Sequence, residues 1–267
     1  MKRIQLFEFE DFAWFPPAWR STITKIIVVL HKLWGTREVV GDLLIDIQKR
    51  HPFTRIVDMG SGSGGTMPPV LEYLNEQQPQ APTELLLTDL HPNQAFVQNF
   101  NQQGHAHMRY QAESLDASNL TQAPEGLKTM MNSFHHMPPD TARKILATAQ
   151  ENKQPILIYE MGENKFPILV WALSTPIAFV ILILMSMVMV FFVKPLTWKD
   201  LLFTWLIPVI PLFYFWDGHA SLPRMYTFDD VKNHLLPPAD EHYTWEMDQG
   251  KKPDGKTVGY YILGLPK

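Results

Sequence analysis

Between residues 39 and 160 the chain alternates two kinds of apolar pattern. Short unbroken runs, Ile56 with Val57, Leu85 to Leu87, and Ile156 to Ile158, read as strands covered on both faces. Leu127 to Ser133 and the shorter His107 to Tyr110 complete a set of five. Elsewhere apolar residues recur every three or four positions. Val39, Val40, Leu43, Leu44 and Ile47 predict a helix over Val39 to Lys49. Further helices are expected over Met67 to Leu74, Pro92 to Gln102 and Asp140 to Asn152, the first opened by Pro68 and Pro69 where a missing N–H costs little. Strand and helix in alternation argue a parallel sheet with helices on both faces. Later, Thr227-Phe228-Asp229-Asp230 has the spacing of a capping box and should start a helix reaching Leu236. His242 to Asp248 and Thr257 to Leu263 then read as two strands joined by a turn.

Between the fifth strand and that hairpin the pattern changes. Phe166 to Val193 run 28 residues without one charged side chain. As a helix this stretch would reach roughly 42 Å, against a hydrocarbon core of about 30 Å. A second uncharged run of 16 residues, Leu201 to Trp216, is short for a span and should kink at Pro208 and Pro211. The pair is expected to form a membrane-associated helical hairpin, because core helices rarely stay uncharged for so long. If the terminal strands complete the same sheet as the first five, both ends of the pair lie on one side of the membrane. The pair then crosses twice or lies within one leaflet. Lys194 and Lys199 against Asp200 in the connecting loop count mildly against crossing, and Pro176, Pro208 and Pro211 suit a leaflet. The first 37 residues hold six basic and three acidic side chains interleaved with Phe7, Phe9, Phe12, Trp14, Phe15, Trp19 and Trp34. Such a segment suits an interface of anionic headgroups, or a lid on the core. Four parts follow: 1–38 as lid or interface segment, 39–165 as cofactor-binding core, 166–216 as hydrophobic hairpin, and 217–267 as completion of the sheet.

The candidate chemistry sits where the first strand ends. Asp58-Met59-Gly60-Ser61-Gly62-Ser63-Gly64-Gly65-Thr66 places one carboxylate before a glycine turn that leads into a helix. Glycine lets the backbone take positive φ against a ligand, and the free N–H groups of a helix start face its polar end. The glycines satisfy both Asp58-x-Gly60-x-Gly62-x-Gly64 and the dinucleotide form Gly60-x-Gly62-x-x-Gly65. Asp58 breaks the tie, since a carboxylate there would receive an ammonium better than a pyrophosphate. On these residues the chain resembles the class I S-adenosylmethionine-dependent methyltransferases, over about residues 39–165 and 217–267. The resemblance implies an α/β fold, a Rossmann-like doubly wound, mostly parallel sheet ending in an antiparallel β-hairpin, here with an apolar helical hairpin inserted after the fifth strand. It also implies S-adenosyl-L-methionine as cofactor. Asp58, Gly60, Ser61, Gly62 and Gly64 would form its first motif. Asp89, after the second strand, would take the ribose hydroxyls, with Leu90 beside it. Asp116 would meet the adenine, and Asn132 would close the site at the fourth strand.

His135 and His136 follow that strand, where the methyl should point, and are the expected catalytic pair, His136 slightly ahead as base or acceptor-orienting group. Glu160, His219, Arg224 and Tyr226 are weaker pocket candidates; a surface Arg224 pairing with Asp217 is the commoner outcome. The chain of 267 residues is ample for a sizeable core, and a net charge of −4 calls for no nucleic acid. With no cysteine and no His-x-x-x-His spacing, no metal site is expected. The function expected is a membrane-associated methyltransferase acting on a lipophilic or membrane-delivered small molecule, with its catalytic core on the cytoplasmic side. The alternatives are an NAD(P)-dependent oxidoreductase using the same glycine loop, which Asp58 and the terminal hairpin speak against, and a non-catalytic membrane protein retaining the fold.

Overall fold

A computed structural model describes residues 1–267, apart from the side chain of Gln122. Two helices, α1 (Pro17–Trp34) and α2 (Thr36–Arg50), precede the sheet. Gly35 separates them at φ +70°, a left-handed turn that glycine adopts without a Cβ clash, and its N–H caps α1 on the carbonyls of His31 and Lys32. Then come β1 (Arg55–Met59), α3 (Met67–Gln77), β2 (Glu84–Thr88), α4 (Gln94–Gln102), β3 (Met108–Tyr110), β4 (Leu127–Met131), α5 (Pro139–Glu151) and β5 (Ile156–Glu160). The apolar insertion forms α6 (Ile168–Met189), α7 (Trp198–Leu201) and α8 (Val209–Arg224). A short turn, α9 (Phe228–Asp230), carries the expected capping box between Thr227 and Asp230. The hairpin β6 (Tyr243–Lys251) and β7 (Thr257–Pro266) closes the sheet.

The seven strands lie in the order β3-β2-β1-β4-β5-β7-β6. The first five are parallel, and β7 enters antiparallel beside β5, with Tyr159 opposite Tyr261. Every residue of β5 is buried, as its unbroken apolar run requires in a sheet covered on both faces. One apolar layer joins Leu44, Ile47, Leu71 and Leu74 of α2 and α3 to the sheet. The opposite layer uses Ile145 and Leu146 of α5 with Tyr226, Val231 and Ile262. Reversal of strand order between β1 and β4 opens a crevice at the carboxyl ends of the strands, where ligands bind in such sheets.

A third apolar cluster lies outside the sheet. Phe15, Ile23, Ile26 and Val29 meet Met189, Val190 and Val193 at the end of α6, and Ile210 and Tyr214 of α8. Ile168 to Phe192 is long and apolar enough to cross a membrane, with only 17% of its most apolar window buried. Trp198–Leu206 and Val209–Arg224 pass the same test only as a pair, bent by 82°. The second apolar run therefore does not end at Trp216. α8 carries on through Asp217 and His219 to Arg224, and residues 2–11 lie along it as a strap: the N–H groups of Lys2 and Arg3 reach the Asp230 carboxylate, and those of Phe9 and Glu10 reach Asp217.

Candidate active site

The glycine turn leaves β1 through Gly60 and Gly62, at φ +70° and +52°. A Cβ on Gly60 would press on Ser133 at 3.3 Å, whereas one on Gly62 would meet nothing within 4 Å. The space beyond Gly62 belongs to a cavity of about 850 Å³. It runs from this turn across the ends of β1 and β4 to the inner faces of α1, α6 and α8, reaching Ile27, Leu182 and Tyr214.

Asp58 is buried, and both of its carboxylate oxygens are held by the protein: Thr129 Oγ1 donates to one at 2.7 Å and Ser61 Oγ to the other at 2.6 Å. Burial, with Asp89 nearby, pushes its carboxyl up to about 7, although both hydroxyls work the other way. Asp58 and Ser61 thus brace β1, β4 and the turn. A ligand ammonium would find only the oxygens' remaining lone pairs, and the Ser61 hydroxyl is turned inward. Asp89 accepts from the N–H of Gly62 at 2.9 Å and of His91 at 2.8 Å, which fixes its carboxylate over the turn. Leu90 is exposed on the cavity wall, and Asp116 stands at the rim, accepting from the N–H of Ser118 at 2.8 Å. Asn132, at φ +53°, accepts from the N–H of Met161 and donates to Nε2 of His31 at 3.1 Å. Burial lowers His31 to about 4, so its ring is neutral, with the second nitrogen on Thr36 Oγ1. The glycine-turn residues, Asp58, Ser61, Asp89, Leu90, Asp116 and Asn132 all line this one cavity with the two histidines, apart from Gly64, whose neighbour is Phe96.

The histidines differ sharply. His135 is buried, its Nδ1 is 2.8 Å from one oxygen of Glu160, and its backbone N–H donates to the other. A carboxylate only accepts, so Nδ1 carries a proton and donates to Glu160, while Nε2 makes no hydrogen bond among the described residues. That nitrogen faces Glu8 across 4.0 Å, a gap rather than a hydrogen bond. His136 instead directs Nδ1 to Asp11 at 2.7 Å. Burial opposes its charge, yet Glu8 and Asp11 together raise it to about 9. A histidine that holds its proton at neutral pH is a poor base, and the two rings therefore differ in what each could do in the cavity.

Around the pair, sequence reasoning missed an ionic network. Arg224 is fully buried, with Nη1 at 3.1 Å from Glu8 and 2.6 Å from Asp11. It is neither a surface residue paired with Asp217 nor free to hold an anionic head group. His219 stacks on Trp171 and meets Thr175 Oγ1, and Tyr226 donates to the Met137 carbonyl, so neither serves the cavity. Glu10, which lines the cavity, is pushed up to about 8 by burial and by Asp217, and at neutral pH it is a carboxylic acid able to donate. Glu8, His135 and His136 bring donor atoms within 4.8 Å of one another, close enough for a metal ion. The sequence test missed this grouping because it needs a residue far away in the chain. Arg224, 3.1 Å from Glu8, already supplies positive charge where a cation would stand.

For the cofactor the cradle fits. The open volume at Gly62 lies beside the start of α3, where Thr66 Oγ1 is buried at the cavity wall with no hydrogen-bond partner among the described residues. A buried hydroxyl left unpaired is costly unless a ligand or water meets it.

The parallel strands, the switch point between β1 and β4 and the antiparallel β7 decide the architecture. The fold is a Rossmann-like methyltransferase fold. No protein-family model matches the chain, and no curated protein matches it. Among solved structures the chain is similar to the citrinin polyketide synthase CMeT domain, at 18% identity over 85% of this chain and 51% of that one, with a TM-score of 0.39. It is also similar to trans-methyltransferase CalH in complex with SAH, at 18% identity over 84% and 55%, TM-score 0.43. A third is human N-acetylserotonin methyltransferase in complex with SAM, at 12% identity over 80% and 48%, TM-score 0.43. The chain spans about half the length of these three structures.

Proposed function

We propose that this protein is a membrane-associated S-adenosylmethionine-dependent methyltransferase that acts on a lipophilic acceptor carrying an ionisable O–H or N–H group. The observation that carries this reading is the single cavity joining the glycine turn, His135 and the apolar faces of α1, α6 and α8. Asp89 would hold the ribose, Asp116 and Leu90 would border the adenine, and Thr66 with the turn's N–H groups would meet the amino-acid end. The bound cofactor supplies an already activated methyl on a sulfonium, so the protein has chiefly to align the acceptor and remove its proton.

His135 Nε2 takes that proton, and Glu160 steadies the resulting imidazolium through Nδ1, in the manner of a carboxylate-oriented general base. Glu10, as a neutral acid, and cationic His136 offer hydrogen bonds to the acceptor's polar head. The exposed apolar length of α6 supports membrane attachment, since a helix of the core would be mostly buried.

Calorimetric titration of the detergent-solubilised protein with S-adenosylmethionine, its demethylated product and NADH tests the reading. Binding of the first two without the third is expected. Binding of NADH alone would transfer the site to hydride chemistry, and binding of none would leave a fold without its cofactor.

A further inference from the structure

Accepting that the protein attaches to a membrane, we infer that its helical layer is monotopic: α6 and the bent α7–α8 pair lie in one leaflet and do not cross. Three observations carry this. The first is where the tip of the hairpin is tied. Asp200, in the turn between α6 and α8, is buried; it accepts from Thr22 Oγ1 at 2.7 Å and pairs with Lys25, which also donates to the Pro195 carbonyl. Both partners belong to α1, and α1 is anchored to the sheet through His31, whose Nε2 meets Asn132 at the end of β4. From Thr22 to His31 the helix rises only ~14 Å. Adding the reach of two short side-chain pairs still leaves the tip short of the roughly 30 Å hydrocarbon core that separates the two headgroup layers.

The second observation is the burial along α6. A spanning helix would be most exposed at the end farthest from the core. Here Ser186, Met189, Val190 and Val193, at that far end, are the buried ones, the last three in one apolar cluster with Ile26 and Val29 of α1. The exposed positions, Leu169, Leu173, Ile177, Val180, Leu184 and Val188 flanked by Ile168, Val170, Phe179 and Ile181, form a broad apolar face along the outer side of the helix. With its far end packed against protein and an apolar face along its outer side, α6 fits a helix lying along a leaflet.

The third observation is the rim. Trp14, Trp34, Trp198 and Trp205 are exposed around this layer, and Lys194 and Lys199 are exposed in the tip. Exposed indole rings and lysines of this kind suit the headgroup boundary of an anionic surface. The layer thus roofs the cavity, with Ile27, Leu182 and Leu222 on its underside and the apolar face on its outer side.

The natural chain has no cysteine, so single cysteines report position cleanly. Lys199→Cys marks the tip and Lys256→Cys marks the β6–β7 turn of the core; neither touches the site. Each full-length variant is reconstituted in sealed phosphatidylcholine and phosphatidylglycerol vesicles, floated, and treated with a membrane-impermeant maleimide before and after detergent. Equal labelled fractions at the two positions before detergent are expected. Complementary fractions, with Lys199→Cys labelled where Lys256→Cys is protected, would establish a crossing hairpin and overturn the monotopic layer while leaving membrane attachment standing. Failure of the protein to float would remove membrane attachment and this inference together, and the cofactor titration would stand apart from both.

Discussion

Glu160 grips His135 twice, through Nδ1 at 2.8 Å and through the backbone N–H at 2.9 Å. One carboxylate therefore sets both the tautomer of the ring and the path of the chain that carries it. Glu160→Gln would present an amide to Nδ1, removing the charge that holds the proton there. Methyl transfer should fall about 10²–10⁴-fold, as for other carboxylate-oriented bases, and His135→Gln should fall at least as far. Cofactor affinity, read by calorimetry, should be unchanged in both, and a matching loss of affinity would mean that the dyad shapes the cofactor site.

Asp89 is held over the glycine turn by two backbone N–H groups. Asp89→Ala should weaken S-adenosylmethionine binding by roughly 10–100-fold, the size of a lost hydrogen bond to a charged group. Unaltered affinity would place the ribose elsewhere.

Gly62→Ala adds a methyl group that meets no protein atom but stands in the cavity and must hold φ near +52°. The backbone cost is about 1–2 kcal/mol. The loss of cofactor affinity should exceed the loss of stability, which parallel melting and titration curves would compare.

Arg224 is buried between Glu8 and Asp11. Arg224→Met would leave buried Glu8 with only Ser221 and His136 as partners and should destabilise the protein by somewhat less than the ~3–5 kcal/mol of a wholly unpaired buried charge. Adding Glu8→Gln should recover part of that loss, and a double variant no better than the single one would show that packing, rather than charge, is what Arg224 supplies.

The same network fixes a pH dependence. His136 is raised from 6.5 to about 9 against its burial, by Glu8 and Asp11. The folded protein therefore keeps a proton that the unfolded chain releases, and stability from this source is complete below pH 6.5 and lost as pH rises through 9. Glu10, raised to about 8, acts in the same direction. The thermal midpoint should fall between pH 6.5 and 9, and His136→Gln should flatten that fall.

The sheet was legible from the sequence because short continuous apolar runs such as Ile156 to Ile158, bounded by turn residues, suit buried strands, and Asp58 with its glycines lies at the floor of the cavity. Helix limits shifted by a few residues at most in the core, as with Pro92 to Gln102, which forms a helix from Gln94. What escaped was made by distant partners. Nothing local distinguishes His135 from His136, since Glu160 orients one and Asp11 charges the other. Arg224 looked like a surface residue because its partners lie 213 residues or more away. The extent of α8 escaped for a related reason: Asp217 looked like the end of an apolar run, yet its carboxylate is satisfied inside the structure by the strap's N–H groups.

That strap has a consequence for biosynthesis. Glu8 and Asp11 leave the ribosome early, whereas Arg224 follows more than two hundred residues later. Until then the buried carboxylate of Glu8 lacks its guanidinium partner, and the rim of the cavity lacks the wall that α8 supplies. The five parallel strands precede α8 in the chain, but a nascent chain stopped short of Arg224 would lack both that wall of the cavity and the β6–β7 hairpin that closes the sheet.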